Sequence, residues 1–177
     1  GIKYPYQAWK GTPWGTQRGL VALGLFKDQA DIDSSPKQTF VTSVMPGDIK
    51  YRDVDGNGVI DSKDQVMISK TANMPRIQYG FGVNIDWKRF NFGVFFNGSA
   101  MRDININGLH PFGQNDYNAM KFVAENRWTE ANPNPNAEYP RLGLNDSQMS
   151  NNSQSSTYWI RNGNFLRFKT LEIGYRF

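Results

Sequence analysis

From Arg76 to Trp87 apolar and polar residues alternate without a fault. Ile77, Tyr79, Phe81, Val83, Ile85 and Trp87 fall on one side, and Arg76, Gln78, Gly80, Gly82, Asn84 and Asp86 on the other. A period of two is the signature of a strand with one apolar face, and the interposed glycines argue against a helix. The run also has the length of a tilted strand that crosses a bilayer, about 9–11 residues. After a short polar turn at Lys88-Arg89, the alternation resumes with Phe90, Phe92, Val94 and Phe96 set between Asn91, Gly93 and Asn97. Phe95 intrudes on the polar side. Two such runs joined by two residues predict an antiparallel hairpin.

A third strand is expected over Phe165–Phe177, where Leu171, Ile173, Tyr175 and Phe177 share one face. Leu166 and Phe168 lie in the opposite phase, so the pattern slips by one residue between Phe168 and Leu171. Such a slip predicts either a β-bulge or the point where the strand leaves the membrane. A weaker fourth strand is expected over Thr16–Phe26. The fold class is therefore all-β: about four antiparallel strands of a partial transmembrane β-barrel with long extracellular loops, one of them carrying a short helix.

The connections support that reading. The turn at Lys88 is tiny, whereas 27–75 and 101–163 are long and rich in Asn, Ser, Pro and Asp. Short turns at one end and long loops at the other characterise outer-membrane barrels. The second loop is expected to hold a helix over Tyr117–Trp128 with Asp116 as its N-cap. Residues 1–177 are read as one barrel region. No stretch reaches the about 18 apolar residues of a membrane-spanning helix, and Gly1–Lys10 lacks the pattern of a signal peptide. Together with a last strand that stops at Phe177, this reads as a piece of a longer chain.

Composition narrows the function classes. Aromatic residues make up 14% of the chain while hydrophobic residues make up only 38%, which suits strands with one apolar face and argues against disorder. The absence of cysteine removes disulfides, thiolate catalysis and Cys-ligated zinc. The charge of +4 is spread without a basic run, so no nucleic-acid partner is expected. His110, the single histidine, has no triad or metal partner at a suitable spacing. Asp31 and Asp33 read as solvated acids of a polar loop. No enzyme is expected.

The most specific chemistry lies in Asp53-Val54-Asp55-Gly56-Asn57-Gly58-Val59-Ile60-Asp61-Ser62-Lys63-Asp64. Calcium takes six to eight oxygens, and a twelve-residue loop supplies them from alternate positions around a glycine at the sixth. Asp53, Asp55 and Asn57 occupy positions one, three and five, with Gly58 at six. Val59 would offer its carbonyl, Asp61 would act through water, and Asp64 closes the loop where Glu is usual. A structural Ca2+ site is expected; a self-capping Asx turn is the bland alternative. Among the loop aromatics, Phe112, Tyr117, Trp128 and Tyr139 are the candidate contacts for substrate or partner.

Several phrases together resemble one family. They are Gly19-Leu20-Val21-Ala22-Leu23-Gly24-Leu25-Phe26, Pro46-Gly47-Asp48-Ile49-Lys50-Tyr51-Arg52-Asp53 and Phe95-Phe96-Asn97-Gly98-Ser99. Asn134-Pro135-Asn136, Tyr139-Pro140-Arg141 and Tyr158-Trp159-Ile160-Arg161-Asn162-Gly163-Asn164-Phe165-Leu166-Arg167 complete the set. In order and spacing, from about Gly19 to the end, they resemble the C-terminal region of SusC/RagA-like TonB-dependent transporters. The resemblance implies an outer-membrane barrel of about 22 strands with a plugged lumen, lidded by a SusD-like surface lipoprotein and driven by the TonB complex. It also implies membrane lipid around the wall and an oligosaccharide or peptide as substrate. The competing reading is a soluble extracellular glycan-binding β-domain stabilised by calcium.

Overall fold

The computed structural model describes residues 4–71, 74–107, 119–143 and 146–177. In chain order the strands are β1 (Gln17–Gly19), β2 (Ala22–Leu25), β3 (Lys37–Gln38), β4 (Ile49–Tyr51), β5 (Val59–Ile60) and β6 (Val66–Ser69). They continue with β7 (Ile77–Trp87), β8 (Phe90–Ala100), β9 (Asp103–Asn105), β10 (Ile160–Asn162) and β11 (Phe165–Tyr175).

Two bodies follow from this order. The long strands form an antiparallel sheet in the order β11-β8-β7. Each has eleven residues, so each is roughly 37 Å long and spans about 28 Å at a 40° tilt. The β7–β8 register is unbroken from Ile77↔Ala100 to Trp87↔Phe90. That register puts Phe81 opposite Phe96, Val83 opposite Val94 and Ile85 opposite Phe92 on one face.

The expected slip in β11 is a β-bulge. The register with β8 shifts between Phe168 and Thr170, so that Phe168 pairs Phe96 and Leu171 pairs Val94. The extra residue, Lys169, restores the phase. Leu166, Phe168, Leu171, Ile173 and Tyr175 therefore share the apolar face of Phe81 and Val83, and the strand does not turn its apolar side inward.

The apolar face is bare: Phe81, Val83, Ile85, Leu171 and Ile173 are all at least half exposed. Among the described residues no second sheet covers it, as a β-sandwich would require. Aromatic rings gather at the hairpin end. Phe90 lies 4.9 Å from Tyr175, Tyr175 lies 5.4 Å from Phe177, and the Lys88 ammonium sits 5.1 Å from the Trp87 ring.

The opposite end carries a compact cap. The expected fourth strand over Thr16–Phe26 is here two short strands. β1 pairs β6, and β2 pairs β4, with register shifts in both pairings. Leu20, between them, is fully buried and its amide bonds the Ser155 carbonyl at 2.8 Å. The segment lines a core instead of crossing a membrane, because its hydrophobic positions face two different partners. The 27–75 and 101–163 segments also supply β3 paired in parallel with β5, and β9 paired with β10.

The cap core contains Leu20, Leu25, Ile49, Tyr51, Ile60, Val123, Trp128, Tyr139, Met149 and Trp159. Beside it runs a buried polar chain. Asp48 accepts from Asn152 Nδ2 at 2.8 Å and pairs with Arg141 Nε at 2.6 Å, while Asn151 Oδ1 accepts from Gln38 Nε2 at 2.8 Å. Burial pushes the Asp48 carboxyl above its ordinary value, and the Arg141 guanidinium opposes that shift.

The helix of the second segment runs over Lys121–Asn126 and is shorter than the expected Tyr117–Trp128. It ends because the chain turns into a bridge: Trp128 N donates to the Tyr139 carbonyl at 2.9 Å and Tyr139 N to the Asn126 carbonyl at 3.3 Å. Its first turn has Met120 at the N-cap with no side-chain hydrogen bond. Asp116 lies outside the described residues.

Candidate functional site

The acidic loop leaves β4 at Tyr51, forms β5 at Val59–Ile60 and closes in a 3-10 turn over Ser62–Asp64. Its residue types explain this course. Gly58 has φ +80, a conformation that a side chain would strain. Asp53 Oδ1 accepts from Gly56 N and Oδ2 from Gly58 N, both at 2.7 Å. Asn57 Oδ1 accepts from Val59 N at 2.8 Å. Those backbone donors, Gly58 first, hold the Asp53 carboxyl below its ordinary value.

The expected ligand set divides. Asp53, Asp55 and Asp64 each bring one carboxylate oxygen within 4.8 Å of the others. Asp64 is fully buried, accepting from Val54 N at 2.7 Å and from Asp61 N at 2.8 Å. Asp61 is outside the cluster. It caps the 3-10 turn by accepting from Lys63 N, and pairs with Lys63 Nζ at 3.0 Å. These contacts hold its carboxyl below the ordinary value. Asn57 and Val59 lie beside the cluster, joined to each other by the hydrogen bond above.

The geometry of the loop has two features. Its carboxylates tie down loop amides, as an Asx turn does, and three of them converge as hard-cation ligands do. Three converging carboxylates repel one another unless a cation or donors offset their charge. The donor set is oxygen only, the chemistry that calcium and magnesium take.

The four aromatic candidates have different fates. Phe112 and Tyr117 lie outside the described residues, as does His110. Trp128 and Tyr139 are core residues, each only 6% exposed. Both rings pack into the cap core. Sequence reasoning passed over a cavity of about 610 Å³ on the polar face of the sheet, lined by Gln78, Asn97, Ser99, Arg102 and Lys169 among others. The single trace of it in the sequence is Phe95, the fault in the alternation, whose ring forms part of its wall.

No family model matches the chain. Two relatives do. Over 159 residues, 89% of the chain, it is 29% identical to TonB-dependent receptor P26 of Formosa agariphila. Over 130 residues, 73% of the chain, it is 26% identical to TonB-dependent receptor P3 of the same organism. The chain is related to TonB-dependent receptors. It spans only 15% and 12% of the length of these two proteins.

Proposed function

We propose that this chain is part of the wall and extracellular cap of a TonB-dependent outer-membrane transporter in a Gram-negative cell, a transport protein with no enzymatic role. The observation that carries this reading is the three-stranded sheet. Its strands have the length of a bilayer crossing, one face is apolar and bare, and the opposite face carries Gln78, Asn84, Asn97 and Glu172. Lipid would cover the first face and the lumen would lie on the second. Trp87, Phe90 and Tyr175, together at the hairpin end, would form an interfacial girdle next to Lys88 and Arg89. That end would face the periplasm and the cap the outside.

The sequence phrases favour the SusC/RagA-like branch. A SusD-like lipoprotein would then dock on the cap, and the substrate would be an oligosaccharide or a peptide. The acidic loop would brace the cap by binding Ca2+ through Asp53, Asp55 and Asp64, with Asn57 and the Val59 carbonyl completing the set and Asp61 acting through water. Calcium binding would offset the repulsion among the three carboxylates and set the loop rigidly beside β4.

The test is sedimentation and far-ultraviolet circular dichroism of the chain with and without detergent. The wall reading expects strand signal in micelles and pelleting in buffer, since the bare face and the unpaired edges of β7 and β11 drive association. A monomer that unfolds cooperatively in buffer would instead support a soluble calcium-stabilised glycan-binding domain.

A further inference from the structure

At the cap end of the polar face the sheet holds a cavity of about 610 Å³, open on one side. Its lining includes Gln78, Tyr79 and Gly80 of β7 and Asn97, Gly98 and Ser99 of β8. Ser99 is 97% buried, and its hydroxyl has no hydrogen-bond partner. Asn97 Oδ1 and Arg102 Nε are likewise buried without a partner. Buried polar atoms left unpaired cost about 1–3 kcal/mol each, so three around one cavity mark a place built for a polar occupant.

The charge of the walls says which kind. Arg102 and Lys169 line the cavity, and among the described residues no carboxylate does. Lys169 is the bulge residue of β11, the extra residue that lets Phe168 and Thr170 keep their own faces, and bulges commonly re-aim a side chain toward a site. Asp103, the acid next in sequence to Arg102, is already bonded to the Ser69 hydroxyl at 2.6 Å. Two aromatic rings flank these groups. Phe95 lies over the backbone of β7, where a Cβ on Gly80 would stand 2.8 Å from its ring and one on Gly82 3.1 Å. Those glycines leave room for the ring, which stays 40% exposed; Phe165, across the cavity, is 36% exposed.

We infer that this cavity is a subsite for a carboxylate-bearing ligand. The Arg102 guanidinium and Lys169 ammonium take the carboxylate, the Ser99 hydroxyl donates beside them, the Asn97 carbonyl accepts a hydroxyl or amide proton, and Phe95 and Phe165 pack on the ligand's flat apolar faces. A sugar acid and an acidic peptide both carry this chemistry. The inference rests on the transporter reading only in calling this face the lumen.

The test uses the whole protein that carries this chain, purified in detergent, and titrates four probes by calorimetry. They are an oligouronate, the neutral oligosaccharide of equal length, a short peptide ending in Glu, and its amidated Gln counterpart. One charged probe is expected to bind about tenfold tighter than its neutral partner, the worth of a charge-assisted contact, and the arm in which this happens names the source. Arg102→Gln and Lys169→Gln should each erase most of that preference. Lys169 is exposed, so its variant is expected to fold even if Arg102→Gln does not; strand circular dichroism checks both. Equal binding of charged and neutral probes in both arms overturns the inference, as does a preference that survives Lys169→Gln. Should the protein be soluble without detergent, the transporter reading fails while the titration still decides the subsite.

Discussion

The indole of Trp128 lies flat against Gly47: a Cβ built on Gly47 would stand 2.4 Å from its Cδ2 and Cε3. Gly47 also has φ +85, so two independent constraints exclude a side chain there. The pair joins the start of β4 to the bridge after the Lys121–Asn126 helix, segments about eighty residues apart in the chain. Gly47→Ala is expected to cost roughly 2–5 kcal/mol, combining left-handed strain with overpacking. Trp128→Ala should cost about 3–5 kcal/mol through the cavity it leaves. Urea unfolding followed by tryptophan fluorescence checks both. A Trp128 variant as stable as the parent would return that ring to the list of ligand contacts.

The two faces of β7 make opposite predictions at adjacent residues. Val83 sits mid-strand on the apolar face opposite Val94, and Asn84 on the polar face opposite Gly93. If lipid covers the first face, Val83→Arg costs about 2–4 kcal/mol near the bilayer midplane, whereas Asn84→Arg costs little. Folding into liposomes, scored by protease protection, separates them. Equal tolerance at both positions would mean that the sheet does not stand in a membrane.

The long strands were legible because a period of two runs over all eleven residues of β7 and over shorter stretches of β8 and β11, and the bulge at Lys169 showed as a slip of phase. The cap was not. Its strands have two to four residues, too few for a period to show, and their partners lie far away in sequence, as with Gln17↔Ser69. Trp128 and Tyr139 read as loop aromatics because the groups that bury them, Gly47 and the Asn126–Tyr139 bridge, are non-local. The acidic loop was legible in residue type, since Asp53, Asn57 and Gly58 interact within five residues of one another. The spacing did not show that the Asp61 carboxylate also meets Lys63. The cavity residues left almost no trace, because a polar strand face looks alike whether its groups are paired or not.

Asp31 gives the cap a pH dependence. Its carboxylate accepts from Lys50 Nζ at 2.7 Å and from Lys27 N at 3.2 Å. The Lys50 bond, chiefly, holds its carboxyl below the ordinary value, against the opposing effect of burial. A carboxyl depressed in the folded state stabilises fully above the unfolded value of about 3.9, and that contribution is lost as pH falls through the lower folded value. The pair is partly exposed, so its worth is at most about 1 kcal/mol. Asp31→Asn should therefore lower stability slightly at pH 7 and not at all below the folded value. Hydrogen exchange of the Lys50 and Asp31 amides across that range measures it. A deficit that persists unchanged in acid would assign the loss to packing.

Asp64 and Asp55 separate the self-capping of the acidic loop from the calcium binding proposed for it. Asp64 is buried and holds the amides of Val54 and Asp61, so Asp64→Ala strands those donors with or without an ion and costs about 1–3 kcal/mol. The Asp55 carboxylate accepts from the Asn57 amide at 3.2 Å and the Asn57 side chain at 3.0 Å, within its own turn. If the loop holds calcium as proposed, Asp55→Ala should matter little in chelator and much in calcium, because its carboxylate would then supply a ligand oxygen. If calcium stabilises the parent, added ion raises its melting temperature in proportion to ln[Ca2+] above the dissociation constant, and Asp55→Ala flattens that dependence. A parent whose melting temperature is the same in millimolar calcium and in chelator would leave the loop as a self-capped turn, with Asp64 its essential residue and Asp55 dispensable.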